Sequence, residues 1–174
     1  TYNGLNKYDP IQDTFTRFYH YADKNSLCDN SIWAIEETAD GKLWIGTANG
    51  LSIHNKKTGH FTNYQLKEFA KDDQLSSNFV LSIKQAKNGT IWIGTAQGFF
   101  KGENRDKDSL IFKPIIPSGL KEYPYVQNMS LCDDNTICLG TKNLGLLQFD
   151  LISESFIQKK LLEPTDDVRA IVSG

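Results

Sequence analysis

One short stretch recurs along the chain and limits the folds open to it. Leu43-Trp44-Ile45-Gly46-Thr47-Ala48-Asn49-Gly50-Leu51 returns as Ile91-Trp92-Ile93-Gly94-Thr95-Ala96-Gln97-Gly98-Phe99. A degraded copy follows at Ile137-Cys138-Leu139-Gly140-Thr141-Lys142-Asn143-Leu144-Gly145-Leu146. The opening Thr1-Tyr2-Asn3-Gly4-Leu5 reads as the tail of a further copy. Thr1, Thr47, Thr95 and Thr141 stand 46, 48 and 46 residues apart. A fixed period of this length marks a repeat architecture, in which each unit buries its faces only by stacking on its neighbours.

Each unit has the same local grammar. A β-rich run is closed by Gly-Thr, a polar turn follows, and a Gly opens a second run such as Leu51-Ser52-Ile53. Upstream of the Trp lies a hairpin signal, Asp40-Gly41 or Asn88-Gly89, whose residues supply the positive φ of tight turns. In the third copy the pair is Asp134-Asn135, and Asn also tolerates left-handed φ. Before each hairpin lies one more strand, at residues 32–36, 79–84 and 126–131. After the Gly strand comes a fourth, aromatic one around Phe61, Phe112 or Phe156, and Phe15 and Phe18 match it near the start.

Four short antiparallel strands per repeat of this size predict an all-β fold of β-propeller blades. A lone four-stranded sheet leaves a face bare, and radial stacking covers it. Trp44 and Trp92 then serve as apolar plugs between blades, since aromatic side chains bury large areas. Cys138 occupies the same slot in the third copy and reads as a small buried residue.

The expected organisation is one partial ring over residues 1–174. Residues 1–20 end one blade, 31–66, 79–116 and 125–159 make three more, and 166–174 supply the first strand of the next. The segment 67–73 leads out of the second blade. The charged stretch 102–108 reads as a solvated loop, because it lacks the Gly and terminal Glu of a calcium loop. No metal or cofactor is expected.

Composition excludes several classes. Hydrophobic residues make up 39% and charged residues 23%, as in ordinary globular chains. The net charge of −2 supplies no field for nucleic acid. No apolar run approaches the roughly 18 residues of a membrane helix. The three cysteines, Cys28, Cys132 and Cys138, have no C-x-x-C spacing and give no zinc signal. Cys132 and Cys138 flank the third hairpin. A three-residue loop places them opposite each other, whereas the two-residue loop at Asp134-Asn135 does not, so their pairing stays open.

The pattern Leu75-Ser76-Ser77-Asn78, a strand, then Asn88-Gly89-Thr90-Ile91-Trp92-Ile93-Gly94-Thr95 with Gly98 resembles the two-component regulator propeller repeat. The copy at 137–146 departs from it at Cys138 and through the extra Leu144. The resemblance implies a segment of the periplasmic sensor region of an inner-membrane hybrid two-component system. Such a region binds a glycan fragment and signals to a histidine kinase elsewhere in the parent chain. The implied partners are an oligosaccharide and the remaining blades.

In a propeller the first strands line the central axis. Residues 28–31, 75–78 and 123–125 share a face with Ala48-Asn49, Ala96-Gln97 and Lys142-Asn143. One axial position varies between otherwise regular repeats: Trp33, Leu81, Gln127 and Arg169. Aromatic carbon for a sugar face and amide or guanidinium donors for its hydroxyls suit a glycan. The candidate ligand residues are therefore Trp33, Gln127 and Arg169, with Asn30, Asn49, Asn78 and Tyr125 around them. The plain structural alternative has Asn30 and Asn78 capping turns and Trp33 filling the axis.

Catalytic patterns are weak. His20, His54 and His60 share no spacing. Glu36 and Glu37 are adjacent on a strand, so they point to opposite faces. Two other functions compete with ligand sensing: a scaffold whose surface binds a protein partner, and a propeller polysaccharide lyase or glycosidase. A partial ring exposes strand edges and apolar faces, so the chain is expected to be a fragment of a longer sensor and to self-associate, for instance as a dimer of two arcs.

Overall fold

The computed structural model describes residues 2–66, 78–106, 109–115, 123–157 and 167–171, excepting the side chains of residues 104–106. Every regular element among them is a β-strand. β1 (Leu5–Asp9) and β2 (Thr14–Phe18) form a two-stranded hairpin. Three four-stranded antiparallel sheets follow, each built from strands consecutive in sequence. The first contains β3 (Ile32–Glu37), β4 (Lys42–Thr47), β5 (Gly50–Asn55) and β6 (Phe61–Tyr64). The second contains β7 (Val80–Gln85), β8 (Ile91–Thr95), β9 (Gly98–Asp106) and β10 (Ser109–Pro114). The third contains β11 (Val126–Asp133), β12 (Thr136–Thr141), β13 (Leu146–Asp150) and β14 (Ser155–Ile157). We number the hairpin and the three sheets as blades one to four. The first strands β3, β7 and β11 lie side by side, so the blades converge there and fan apart outwards. No ring closes among the described residues, and the architecture is an incomplete propeller.

The turn residues act as their chemistry requires. Gly41 and Gly89 take φ of +78° and +87° in the first two hairpins, a region that favours glycine. In the third hairpin neither Asp134 nor Asn135 has positive φ; the turn still has two residues, because Asp133 pairs with Thr136. A bulge at Cys132 shifts the register between Leu131 and Asp133. That extra residue brings the Cα atoms of Cys132 and Cys138 to 5.8 Å, and the two are joined in a disulfide. Both features that the sequence set against each other, the short turn and the bond, are present together.

The stretch 102–108 differs from its expected loop. β9 runs on to Asp106, and β10 begins at Ser109. Lys101 and Lys113 both pair with Glu103. Alternating charge holds this outer hairpin together across the strands. Residues 67–77 and 158–166 lie outside the described residues, as do 172–174.

The core lies between sheets. Trp44 is buried with Leu51 and Ile53 of blade two against Ile91, Ile93, Phe100 and Phe112 of blade three. Trp92 and Phe99 of blade three are buried against Val126, Ile137, Leu139 and Phe149 of blade four. The Gly that follows each plug lets the next blade approach. A Cβ at Gly46 would stand 2.7 Å from Val80 Cγ1, and one at Gly94 2.5 Å from Val126 Cγ1. At Gly140 it would stand 2.6 Å from the carbonyl oxygen of Val168. Val168 also donates its amide to the Thr141 carbonyl at 2.9 Å, although 167–171 belong to no strand. Val168 therefore docks on blade four as Val80 and Val126 dock on the blades before them.

Candidate functional site

Two positions at the start of blades two to four and in the segment 167–171 come together through their contacts, Trp33 with Phe79 and Gln127 with Asp167, although Trp33, Leu81 and Gln127 each sit at a register shift. One is the varied position Trp33, Leu81, Gln127 and Arg169. The other is two residues earlier: Ser31, Phe79, Tyr125 and Asp167. Together they carry two neighbouring groups.

The first group is aromatic. Trp33 is 44% exposed and stands edge-on to Tyr2 at 5.8 Å and to Phe79 at 5.1 Å between ring centroids. Tyr2 is 78% exposed and Phe79 half-buried, so Tyr2 and Trp33 present apolar carbon to solvent. Edge-to-face geometry fixes the rings relative to one another and leaves faces free.

The second group is polar. Asp167 accepts from the Arg169 guanidinium at 2.9 Å and from the Gln127 amide. The Arg169 bond is the main cause that holds the Asp167 carboxyl below its ordinary value, with Gln127 and the nearby Lys142 adding to it. Lys142 places its ammonium 5.4 Å from the Tyr125 ring centroid. Asn143 accepts the Tyr125 amide at 2.9 Å and donates to the Tyr123 carbonyl, which pins the loop beneath that ring.

The structure thus brings Tyr125, Gln127 and Arg169 together through Asp167 and Lys142, and sets Trp33 in its own aromatic group. Asn49 is exposed, and its carbonyl accepts from Gln65. Asn30 accepts the His20 amide at 2.7 Å through its side chain. Asn78 is fully buried; it accepts the Leu66 amide and donates to Gln65. The side chains of Asn30 and Asn78 are thereby engaged in holding connectors. Sequence reasoning missed Tyr2, Phe79 and Asp167, and it placed Lys142 on this face without counting it among the ligand residues. The signal for two of the missed residues was available, since Phe79 and Asp167 occupy a second varying position, two residues before the first.

The histidines are dispersed. His20 Nδ1 lies 2.6 Å from the Leu27 carbonyl oxygen, and His54 stacks on Phe61 at 4.5 Å. Glu36 pairs with Lys84 and Glu37 with Lys56, each on its own face of β3. Among the described residues no group of His, Cys, Asp and Glu has the arrangement of a metal site.

Fold and site together define a propeller arc with a solvent-facing axial row. Residues 26–49 and 74–97 match the two component regulator propeller family, and these two segments are repeats of that family. No curated protein matches the chain. Among solved structures it is similar to the extracellular domain of the hybrid two component system BT3049 from B. thetaiotaomicron. That match has 23% identity and a TM-score of 0.71, over 99% of this chain and 24% of that one. The extracellular domain of BT4673 from the same organism gives 22% identity and 0.71, over 96% and 22%. Virginiamycin B lyase from Staphylococcus aureus gives 18% identity and 0.65, over 94% and 50%. These likenesses concern the fold. The chain spans about a quarter of the length of the two extracellular domains.

Proposed function

We propose that the chain is part of the extracytoplasmic sensor region of a hybrid two-component system, and that its axial row contributes to a saccharide site. The observation that carries this reading is the row itself: exposed rings at Tyr2 and Trp33, backed by the half-buried Phe79, beside the ordered donors and acceptors of Gln127, Asp167 and Arg169. Pyranose rings offer C–H faces to aromatic carbon and hydroxyls to amide, guanidinium and carboxylate groups. The regulator propeller repeats support the sensor assignment, as does the likeness to two extracellular domains of such systems. The Cys132–Cys138 disulfide supports an oxidising, extracytoplasmic compartment. The segment binds rather than catalyses in this reading, and the kinase lies elsewhere in the parent chain.

The test is made in the parent sensor. Trp33→Ala and Arg169→Ala should each abolish saccharide-dependent transcription of the target genes while the protein still accumulates in the envelope. An intact response in both variants removes the axial site.

A further inference from the structure

Blades two and three leave a groove between their outer halves, on the side of the hairpin turns around Gly41 and Gly89 and apart from the axial row. Its volume is about 750 Å³, inside the roughly 300–1,000 Å³ of small-ligand pockets. Its origin is local. Gly102 pairs with Ile91 and Phe112, and its missing side chain faces blade two. The same position holds His54 in blade two and Phe149 in blade four, paired with Leu43 and Ile137. Phe149 fills the next interface with its ring. At Gly102 only backbone backs the groove.

The lining chemistry selects the ligand. The charges cancel locally: Asp40 pairs with Lys42 at 2.8 Å, and Lys101 with Glu103 at 3.2 Å. Burial pushes the Asp40 carboxyl up, but hydrogen bonds from Lys42 and Thr38 outweigh it and keep the group ionised beside its lysine. No net field therefore favours an anion or a cation. What remains are uncharged groups, including the hydroxyls of Thr62, Tyr64 and Thr90, none of which bonds to a described protein group, and the apolar wall of Leu110.

We propose that this groove binds a short neutral oligosaccharide of two or three pyranose units. Threonine and tyrosine hydroxyls exchange hydrogen bonds with sugar hydroxyls, and Tyr64 and Leu110 take a C–H face. This site is separate from the axial row, and it deepens the saccharide reading above by naming a neutral class.

The experiment titrates the full chain with neutral trisaccharides (cellotriose, xylotriose, mannotriose and maltotriose), with a sulfated disaccharide and a neutral decapeptide as controls, by calorimetry and by NMR line broadening. At least one neutral trisaccharide should bind. Gly102→Phe, which installs the ring used by blade four, should weaken it at least about tenfold. Its Cβ meets Ile91 and Phe112 at 3.4 Å, an ordinary contact. Should Gly102→Phe fail to fold, Thr62→Arg at the exposed mouth must give the same loss. Ile152→Ser, on the exposed outer turn of blade four and in neither site, should leave this binding unchanged. Binding that survives both groove variants overturns the proposal, as does selective binding of the sulfated sugar or the peptide, or of no panel member at all. Loss with Trp33→Ala alone overturns the groove and leaves the axial reading standing.

Discussion

The interface between blades two and three and the one between blades three and four are built from one sequence pattern and filled differently. In the second, Trp92 stacks on Phe99 at 5.0 Å and meets Phe149 edge-on at 5.0 Å, with Phe156 closing the cluster. Lys101 lies along the same face and reaches across to Glu154 of blade four. In the first, among the described residues, Trp44 meets one ring, Phe112, at 6.4 Å, and Tyr64 meets the same ring at 5.4 Å. The position equivalent to Lys101 is Ile53, since both pair with the plug. Ile53 packs within the seam and carries no charge across it. With Gly102 opposite in place of a ring, the first seam is closed at its base and open at its rim. The repeat fixes where a seam forms, and two or three residues decide how full it is.

The largest test of this contrast removes the plugs. Trp92→Ala should cost about 3–5 kcal/mol, at the upper end of that range. Trp44→Ala should fall at the lower end, because it loses a single ring partner and stands beside space into which neighbours relax. Denaturant midpoints measure both, and equal losses would break the contrast.

The disulfide comes next. Cys132→Ser should destabilise the chain by about 2 kcal/mol, the loop-entropy figure for so short a closure. Reducing the unaltered protein should give the same loss. A much larger loss would mean that Cys138 carries the packing role of the missing plug through its bond.

Lys101→Met keeps the stem and removes the charge. Its pairs are partly exposed, so the cost should stay under about 1 kcal/mol. A greater loss in chemical denaturation would shift the fullness of the second seam from ring packing to charge.

The smallest effect is a pH dependence between blades one and two. His54 lies under Phe18 and Phe61, and burial lowers its pKa, helped by Lys7 and Lys56. Its folded value is thus below its ordinary value near 6.5. Over that interval the unfolded chain binds more protons, so stability is full above the ordinary value and is lost as pH falls through the depressed one. His54→Phe should flatten this slope in thermal scans taken between about pH 7 and 5.

The fold was legible because period, turn residues and plug all point to one answer. Trp44 and Trp92 announced the seams by their place before Gly-Thr. The disulfide was less legible: spacing showed a two-residue turn, but the bulge at Cys132 is a backbone choice without a sequence mark. The hairpin at 98–114 outran its expected strands because pairs such as Lys113–Glu103 stabilise charge that reads as loop. At the axial row, one varying position pointed to Trp33, Gln127 and Arg169 as candidates, whereas Tyr2 enters from another repeat and is placed only by the fold. The groove had a faint sign in Gly102, standing where His54 and Phe149 stand, and its meaning required the facing blade.

Every strand in the described sheets pairs only with its neighbours in sequence. The entropic penalty for closing each pairing is therefore that of a short loop, and it grows only slowly with the length of the connector. Contacts between blades are added at a separation of about one repeat, after the local hairpins exist. Such local pairing allows each new blade to close on a finished one as the chain emerges during synthesis. It needs no distant segment to arrive before the first core can form.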